Sequence, residues 1–203
     1  MKKIIILTLV SAFVFIACNQ SGQQKQPEVN KRDIVLSNIH SRKSVRNFVE
    51  GKTIPKEDLE TLLKAGMAAP SAVNLQPWHF VVIDNRADLD SLSTKLPYAK
   101  MLTKASAAII VCGDSAIKAG DMAFWEFDCS LVSANILLAA EAMGLGAVWT
   151  AVHPDPSRIE FVKQHLQLPD NIIPLNVIPI GYPTGEDKSK DKFKAERIHY
   201  NKW

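Results

Sequence analysis

The chain has 203 residues, of which 47% are hydrophobic and 22% are charged, and its formal net charge is +3. This balance excludes an intrinsically disordered chain and predicts a single globular domain. The small positive charge is spread along the sequence and accompanies no recognised nucleic-acid motif, so we expect no nucleic-acid partner.

The start of the chain has the layout of an export signal. Lys2 and Lys3 give a basic start, residues 4–15 are almost entirely apolar, and the small Ala17 precedes Cys18. The apolar run is shorter than the roughly 20 residues that a membrane span requires. A cysteine directly after a small residue resembles the bacterial lipobox. We therefore predict a lipoprotein signal peptide over residues 1–17 and acylation of Cys18, with a plain cleaved signal peptide as the alternative.

Acylation at Cys18 implies export and a membrane anchor at the periplasmic or cell-envelope face. Residues 18–29 are polar and lack any apolar period, which predicts a flexible tether. The folded domain is expected to cover residues 30–203.

The first half of this domain predicts two helices followed by a strand. Residues 31–40 carry apolar side chains at helical spacing. A second helix begins near Pro55, with acidic residues in its first turn, and ends at Pro70. Residues 78–83 predict a strand, and a mixed, mainly helical stretch follows over residues 89–102.

The middle of the domain predicts its most buried elements. Residues 105–111 form an apolar run that is typical of a central strand. Residues 121–143 predict the longest helix, which is apolar on nearly every face. Charged residues exclude a membrane span there, because a charge at the bilayer centre costs about 2.5–3.5 kcal/mol on insertion scales. We expect a second subunit to cover one side of this helix, with Asp128 as a hydrogen-bonded structural carboxylate at the interface.

The last elements are shorter. Residues 147–150 predict a short strand or turn, and residues 155–166 predict a helix. Residues 172–180 predict the final strand, and Pro174 and Pro179 indicate that it is irregular or lies at a sheet edge. Helices and strands are mixed without strict alternation, so the pattern favours an α+β fold over a doubly wound sheet.

Two cysteines, Cys112 and Cys129, fall inside the domain. In an exported protein they could form a disulfide. Both lie in apolar segments, however, where buried free thiols are commoner. The sequence contains no CxxC motif or Cys/His cluster, so we expect no metal site.

The segment Arg42-Lys43-Ser44-Val45-Arg46 places three cations and a hydroxyl between the first two helices. Arginine offers several planar donors to a phosphate group, and serine can add a further hydrogen bond. A short basic run is also typical of a solvated surface. Alone, the segment is compatible with both an anion site and an ordinary surface.

A second polar segment, A-P-S-A-V-N-L-Q-P-W-H-F over residues 69–80, leads into the first strand. Its two prolines fix the backbone of a loop that is rich in amides. Rigid loops at the boundary of an element are suited to polar ligand contacts. A structural turn is the alternative interpretation.

Taken in order, these segments resemble the FMN-dependent nitroreductase family. The basic segment precedes A-P-S-A-x-N-x-Q-P-W, and the long helix ends in A-A-E-A-M-G-L-G. The pattern is completed by the short motifs Trp149-Thr150, Gly181-Tyr182-Pro183, Lys192-Phe193-Lys194 and H-Y-N-K-W over residues 199–203. Together they span nearly all of residues 31–203.

The resemblance implies a nitroreductase-like α+β fold with a central, mostly antiparallel sheet flanked by helices. It also implies an intertwined homodimer with two FMN molecules, each in a pocket lined by both subunits. The C-terminal tail would reach across the partner.

The resemblance further implies which residues bind FMN, while the flavin itself carries the chemistry, so that no catalytic side chain is required. The phosphate and ribityl chain would contact Arg42, Lys43 and Ser44, and the pyrimidine edge would face Arg46. The loop of the other subunit would contribute Pro70, Ser71, Ala72 and Asn74. Flavin N5 would lie near Val148, Trp149 and Thr150. From the tail, Lys192 or Lys194 would complete the phosphate site.

The implied activity is a ping-pong hydride transfer. A reduced donor such as NAD(P)H would reduce FMN at N5, and an electron-poor nitroaromatic or quinone would then be reduced. Because NAD(P)H is scarce outside the cytoplasm, two alternatives stay open. One is another reaction of the superfamily, such as dehalogenation, flavin fragmentation or dehydrogenation, and the other is a flavin-binding lipoprotein without turnover.

Overall fold

The computed structural model describes residues 30–203. The predicted signal peptide, the predicted tether and Cys18 lie outside this range. The helices are α1 (Lys31–Ser41), α2 (Lys56–Met67), α3 (Arg86–Lys95), α4 (Trp125–Ala142) and α5 (Pro156–Leu166). The strands are β1 (Trp78–Ile83), β2 (Ala107–Asp114), β3 (Gly146–Ala147), β4 (Thr150–Ala151) and β5 (Ile172–Gly181). Within residues 30–203, no helix has the length and apolar character needed to cross a membrane.

The strands form one antiparallel sheet with the order β1-β2-β5-β3, and β4 also pairs with β5. Strand β2 pairs with β1 along its length, with Trp78 opposite Gly113. On its other side it pairs with β5, with Ala107 opposite Ile180. The helices pack on this sheet, so the predicted α+β class and the antiparallel sheet are confirmed.

Strand β2 is the centre of the core, as its apolar run predicts. Its residues from Ala107 to Gly113 are buried. Because successive side chains of a strand point to opposite faces, Ile109 and Val111 join one cluster with α2 and α4, while Ile110 joins the other with α3 and α5. Burial of each large side chain contributes about 1.5–3 kcal/mol.

The sequence predicts that the last strand is irregular or lies at a sheet edge. The edge position is wrong, because β5 lies between β2 and the short strands and is buried along most of its length. The register shifts between Val111 and Cys112 of β2, and Pro174 lies beside that bulge. The Pro179 carbonyl accepts a hydrogen bond from the Val148 N–H at 3.3 Å. Its ring nitrogen therefore faces the loop between β3 and β4, where ladder pairing is already interrupted.

Helix α4 is shorter than the predicted span of residues 121–143. The chain before it forms a turn in which the Ala119 N–H donates to the Met122 carbonyl at 2.9 Å, with Gly120 at φ 62°. The inner face of α4 is buried, but Phe127 is 68% exposed. Helix α1 buries no residue, and its Ile34 is 53% exposed. Apolar surface of this kind is typical of an association face.

Cys112 and Cys129 are free thiols, as the apolar context favours. Burial raises the pKa of each thiol to about 12. The Cys129 thiol donates to the Cys112 carbonyl oxygen, with 3.4 Å between sulfur and oxygen. Both side chains are therefore protonated at neutral pH and behave as small apolar core residues.

Two glycines seat the basic segment on the sheet. A Cβ at Gly146 would lie 2.5 Å from Val45 Cγ1, and a Cβ at Gly181 would lie 2.9 Å from the ring of Phe48. The Val45 N–H also donates to the Ala147 carbonyl at 3.0 Å. Because neither glycine carries a side chain, the backbone of residues 45–48 lies directly against β3 and the end of β5.

We expect Gly146→Ala to lower the free energy of unfolding by about 1–3 kcal/mol, because the added methyl group overpacks the space that Val45 occupies. Chemical denaturation followed by circular dichroism measures this change. Val45→Ala in the same chain makes room for the methyl group, so the double variant should lose less stability than the sum of the two single variants. A wild-type midpoint for Gly146→Ala would contradict this packing.

Candidate functional site

The basic segment begins where α1 ends. The Arg42 N–H donates to the Asn38 carbonyl at 3.2 Å and closes the helix. Val45 is buried, whereas the side chains of Ser44 and Arg46 on either side of it are exposed. The buried valine thus holds the segment on the sheet while its polar neighbours remain accessible to a ligand.

A cavity of about 570 Å³ opens beside the end of α1. Its walls come from α1 and from the C-terminal tail, and they consist of Ile39, His40, Arg42, Ser189, Lys190, Asp191, Lys192 and Phe193. The structure therefore places Arg42 and Lys192 on the wall of one cavity, and Lys192 is one of the two tail lysines that the resemblance implies for the phosphate site. Lys194, the other tail lysine considered, is not part of this wall.

Lys43 contacts a different part of the molecule. Its Nζ lies 3.4 Å from Glu141 Oε1, and both side chains are mostly buried. Glu141 belongs to the last turn of α4, where a cation is favoured by the helix dipole. The described structure thus pairs Lys43 with α4 and does not bring it into the cavity beside Arg42.

An acidic residue of the tail is bonded to the basic segment. Asp187 Oδ2 accepts hydrogen bonds from the Arg46 N–H at 3.0 Å and from the Asn47 N–H at 3.1 Å. Sequence reasoning missed this residue, since 141 positions separate Asp187 from Arg46 and no local pattern marks it.

The loop before β1 has a strained backbone. Val73, Asn74 and Gln76 have φ values of 41°, 60° and 52°, in the left-handed region that side chains disfavour. The Gln76 N–H donates to Ser71 Oγ at 3.0 Å, and Gln76 Nε2 donates to Asn74 Oδ1 at 2.9 Å. Backbone strain of this kind is concentrated at functional sites.

Asp128 supports this loop from α4. Its carboxylate is buried, and its Oδ1 accepts a hydrogen bond from the Ala72 N–H at 3.1 Å. Asp128 Oδ2 is buried without a hydrogen-bond partner among residues 30–203. The structural role expected for Asp128 is therefore visible in the single chain, although only one of its oxygens is satisfied there. Neither Ala72 nor its neighbours Pro70, Ser71 and Asn74 line the cavity beside Arg42.

The segment expected near flavin N5 is fastened to β5. Val148 is buried, and the Thr150 hydroxyl donates to the Val177 carbonyl at 2.6 Å. Trp149 is half-buried and packs against the larger core cluster. Since Ala147 immediately precedes this segment and bonds to Val45, the two predicted binding segments are neighbours along one edge of the sheet.

Comparison with known proteins decides the family. The profile of the "Nitroreductase family" matches residues 39–96 and 90–182. A protein of Methanothermobacter thermautotrophicus named "Putative NADH dehydrogenase/NAD(P)H nitroreductase" is 43% identical over 87% of this chain and 91% of its own length. The chain belongs to the nitroreductase family.

Solved structures agree with this assignment. A Bacteroides thetaiotaomicron protein of the same name superposes with a TM-score of 0.79 at 52% identity, covering 84% of this chain and 98% of that one. An "FMN-dependent Nitroreductase" of Clostridium difficile superposes with a TM-score of 0.75 at 26% identity, covering 83% of this chain and 99% of that one. The family, the fold and the enzyme class predicted from the sequence are confirmed, and the expected cofactor agrees with these comparisons.

In this nitroreductase-family chain, the predicted binding residues fall into two groups. One follows the sheet edge and the tail, and it includes Arg42, Arg46 and Lys192. The other is the strained loop of residues 70–76, which Asp128 holds. A single chain therefore presents the predicted binding residues in two separate places.

Proposed function

We propose that this nitroreductase-family protein is an FMN-dependent oxidoreductase that takes electrons from NAD(P)H and reduces an electron-poor acceptor such as a nitroaromatic or a quinone. The names of its relatives support the donor and the cofactor. The observation that carries the proposal is the cavity whose wall contains both Arg42, the first residue of the basic segment, and Lys192 of the tail.

The residues around this cavity fit a phosphate-bearing cofactor. Three cations, Arg42, Lys190 and Lys192, line it together with one carboxylate, that of Asp191. An arginine binds phosphate oxygens through its planar fork, and a lysine does so as a point charge. The cavity is thus suited to an anion. Along the same segment, the accessible side chain of Ser44 would meet the ribityl chain.

FMN, when bound, supplies the hydride-transfer chemistry. The protein's own residues bind and orient. Arg42 and Lys192 would hold the phosphate, and Arg46 would place a positive charge at the pyrimidine edge, where it would favour the charge that the flavin gains on reduction. Thr150 is bonded to β5 and Trp149 packs on the core, so residues 148–150 would line the other side of the flavin and would exclude water there.

The proposal includes a homodimer. Helices α1 and α4 expose apolar side chains, and a groove of about 830 Å³ with mainly apolar walls runs between α1, the end of α2 and α4. Two copies that cover these faces would bring the loop of residues 70–76 from one subunit to the sheet edge of the other. The second half of the polar site would then be complete, with Pro70, Ser71, Ala72 and Asn74 contributed by the partner.

We also propose that the protein is exported and held at a membrane by a lipid on Cys18. The support is the sequence alone, namely the basic start, the short apolar run and the small residue before the cysteine. This location bears on the electron donor, since NAD(P)H is scarce outside the cytoplasm. A flavin-binding lipoprotein without turnover, or another superfamily reaction such as dehalogenation, flavin fragmentation or dehydrogenation, would then replace the proposed activity.

The activity is tested on the full-length protein, purified in detergent and loaded with FMN. We expect a visible flavin absorbance that disappears on anaerobic addition of NADH or NADPH and returns when a nitroaromatic or a quinone is added. Absence of bound flavin would contradict the cofactor. Bound flavin that neither nucleotide bleaches would contradict the donor and favour one of the alternatives.

The phosphate site is tested by comparing the two tail lysines. Lys192→Ala should weaken FMN binding about tenfold, which is the usual effect of losing one charge-assisted contact. Lys194→Ala removes the same charge from the same tail, but outside the cavity wall, and should keep the wild-type dissociation constant within about twofold. Flavin fluorescence titration measures both. Equal losses in the two variants would show that only the overall charge of the tail matters.

Lipidation is tested by mass spectrometry of the membrane fraction. We expect an N-terminal peptide that begins at acylated Cys18, because the predicted signal peptide ends at residue 17. Cys18→Ser should leave the protein out of the membrane fraction. An unmodified Cys18 in a soluble protein would contradict the lipid anchor.

A further inference from the structure

The tail is joined to the basic segment by a short antiparallel contact that ends at Asp187. The Val49 N–H donates to the Tyr182 carbonyl at 2.8 Å, and the Thr184 N–H donates to the Asn47 carbonyl at 3.0 Å. Asp187 follows, and its Oδ2 accepts from two successive backbone N–H groups, those of Arg46 and Asn47. Asn47 Nδ2 lies 3.4 Å from the same oxygen. One carboxylate oxygen thus gathers three donors.

Beyond Asp187 the tail has no comparable attachment. Among the residues that the structure describes, no position from 188 to 203 makes a hydrogen bond or ion pair to the rest of the domain. Yet Lys192, only five residues beyond Asp187, lines the cavity with Arg42. Asp187 is therefore the last fixed point before the residue that the phosphate site needs.

We propose that Asp187 is the positioning residue of the phosphate end of the pocket, because it fastens the tail to the basic segment and so keeps Lys192 beside Arg42. This inference rests on the proposed FMN-binding function. Two successive backbone N–H groups that donate to one side-chain oxygen fix the position of Asp187 relative to the basic segment. They give the chain a fixed direction where it leaves the segment.

Loss of this joint lengthens the free part of the tail. The last attachment then becomes Thr184, and the free span to Lys192 grows from five residues to eight. Linker length alone lowers the effective concentration of Lys192 at the cavity by about twofold, from the −3/2 power of length. The variant also loses the hydrogen bonds that direct the tail toward the cavity, which weakens binding further. We therefore expect Asp187→Ala to weaken FMN binding by about three- to tenfold, no more than the loss of Lys192 itself.

The experiment compares Asp187→Ala with Asp187→Asn in the full chain. Both variants remove the negative charge, but the asparagine oxygen can still accept from the two N–H groups. We expect Asp187→Asn to bind FMN within about twofold of wild type while Asp187→Ala does not. Glu186→Ala, a neighbouring exposed acid, serves as the control for loss of a tail carboxylate and should match wild type. Equal affinity in all four proteins, or equal change in the alanine and asparagine variants, would overturn the proposal.

Two further measurements separate positioning from general damage. Riboflavin lacks the phosphate, so its affinity for Asp187→Ala should remain within about twofold of its affinity for wild type. In a Lys192→Ala background, Asp187→Ala should cause no additional loss of FMN affinity, because the two residues then act as one unit. A parallel loss of riboflavin affinity, or additive losses in the double variant, would overturn the positioning role. Wild-type protein that binds neither FMN nor riboflavin would overturn the proposed function itself, which is a distinct result.

Discussion

The contact between Val45 and the glycine at the start of β3 is the constraint on which the arrangement of the site depends. The buried side chain of Val45 packs against Gly146, and the Val45 N–H donates to the Ala147 carbonyl at 3.0 Å. These two contacts hold the basic segment against the edge of the sheet. Because the valine faces inward, Ser44 and Arg46 remain accessible. The polar surface of the site is thus positioned by an apolar contact, which is not weakened by salt as a surface ion pair would be.

The loop of residues 70–76 and the Asp128 carboxylate that supports it are held in an energetically costly arrangement. Asp128 is buried with one carboxylate oxygen satisfied and the other without a partner among residues 30–203. A buried carboxylate in that condition is costly for a single chain. Val73 and Asn74 also hold unfavourable backbone angles close to it. Local cost of this kind is retained where geometry serves a ligand, in agreement with a loop that contributes to a site shared between subunits.

Most of the fold could be predicted from sequence because its signals are local. The apolar run of β2 and the long helix are visible in windows of a few residues, and the ordered motifs indicated the family. The position of β5 was predicted wrongly, because the bulge at Leu175 and the loop that faces Pro179 are visible only once β5 is paired with its neighbours. For the site, the resemblance implies Arg42 together with either Lys192 or Lys194. The bond from Asp187 to the basic segment and the pairing of Lys43 with Glu141 join distant parts of the chain and leave no local pattern.

The cavity beside Arg42 has walls from the first helix of the domain and from its C-terminal tail, so a phosphate bound there would tie together two segments near opposite ends of the folded chain. Such a ligand binds the folded chain and not the unfolded chain, so it stabilises the fold only while it is bound. Stability then becomes a function of cofactor supply: by mass action, a ligand present at 100 times its dissociation constant adds about 2.7 kcal/mol. For this chain, the availability of flavin would set the lifetime of the protein as well as its activity.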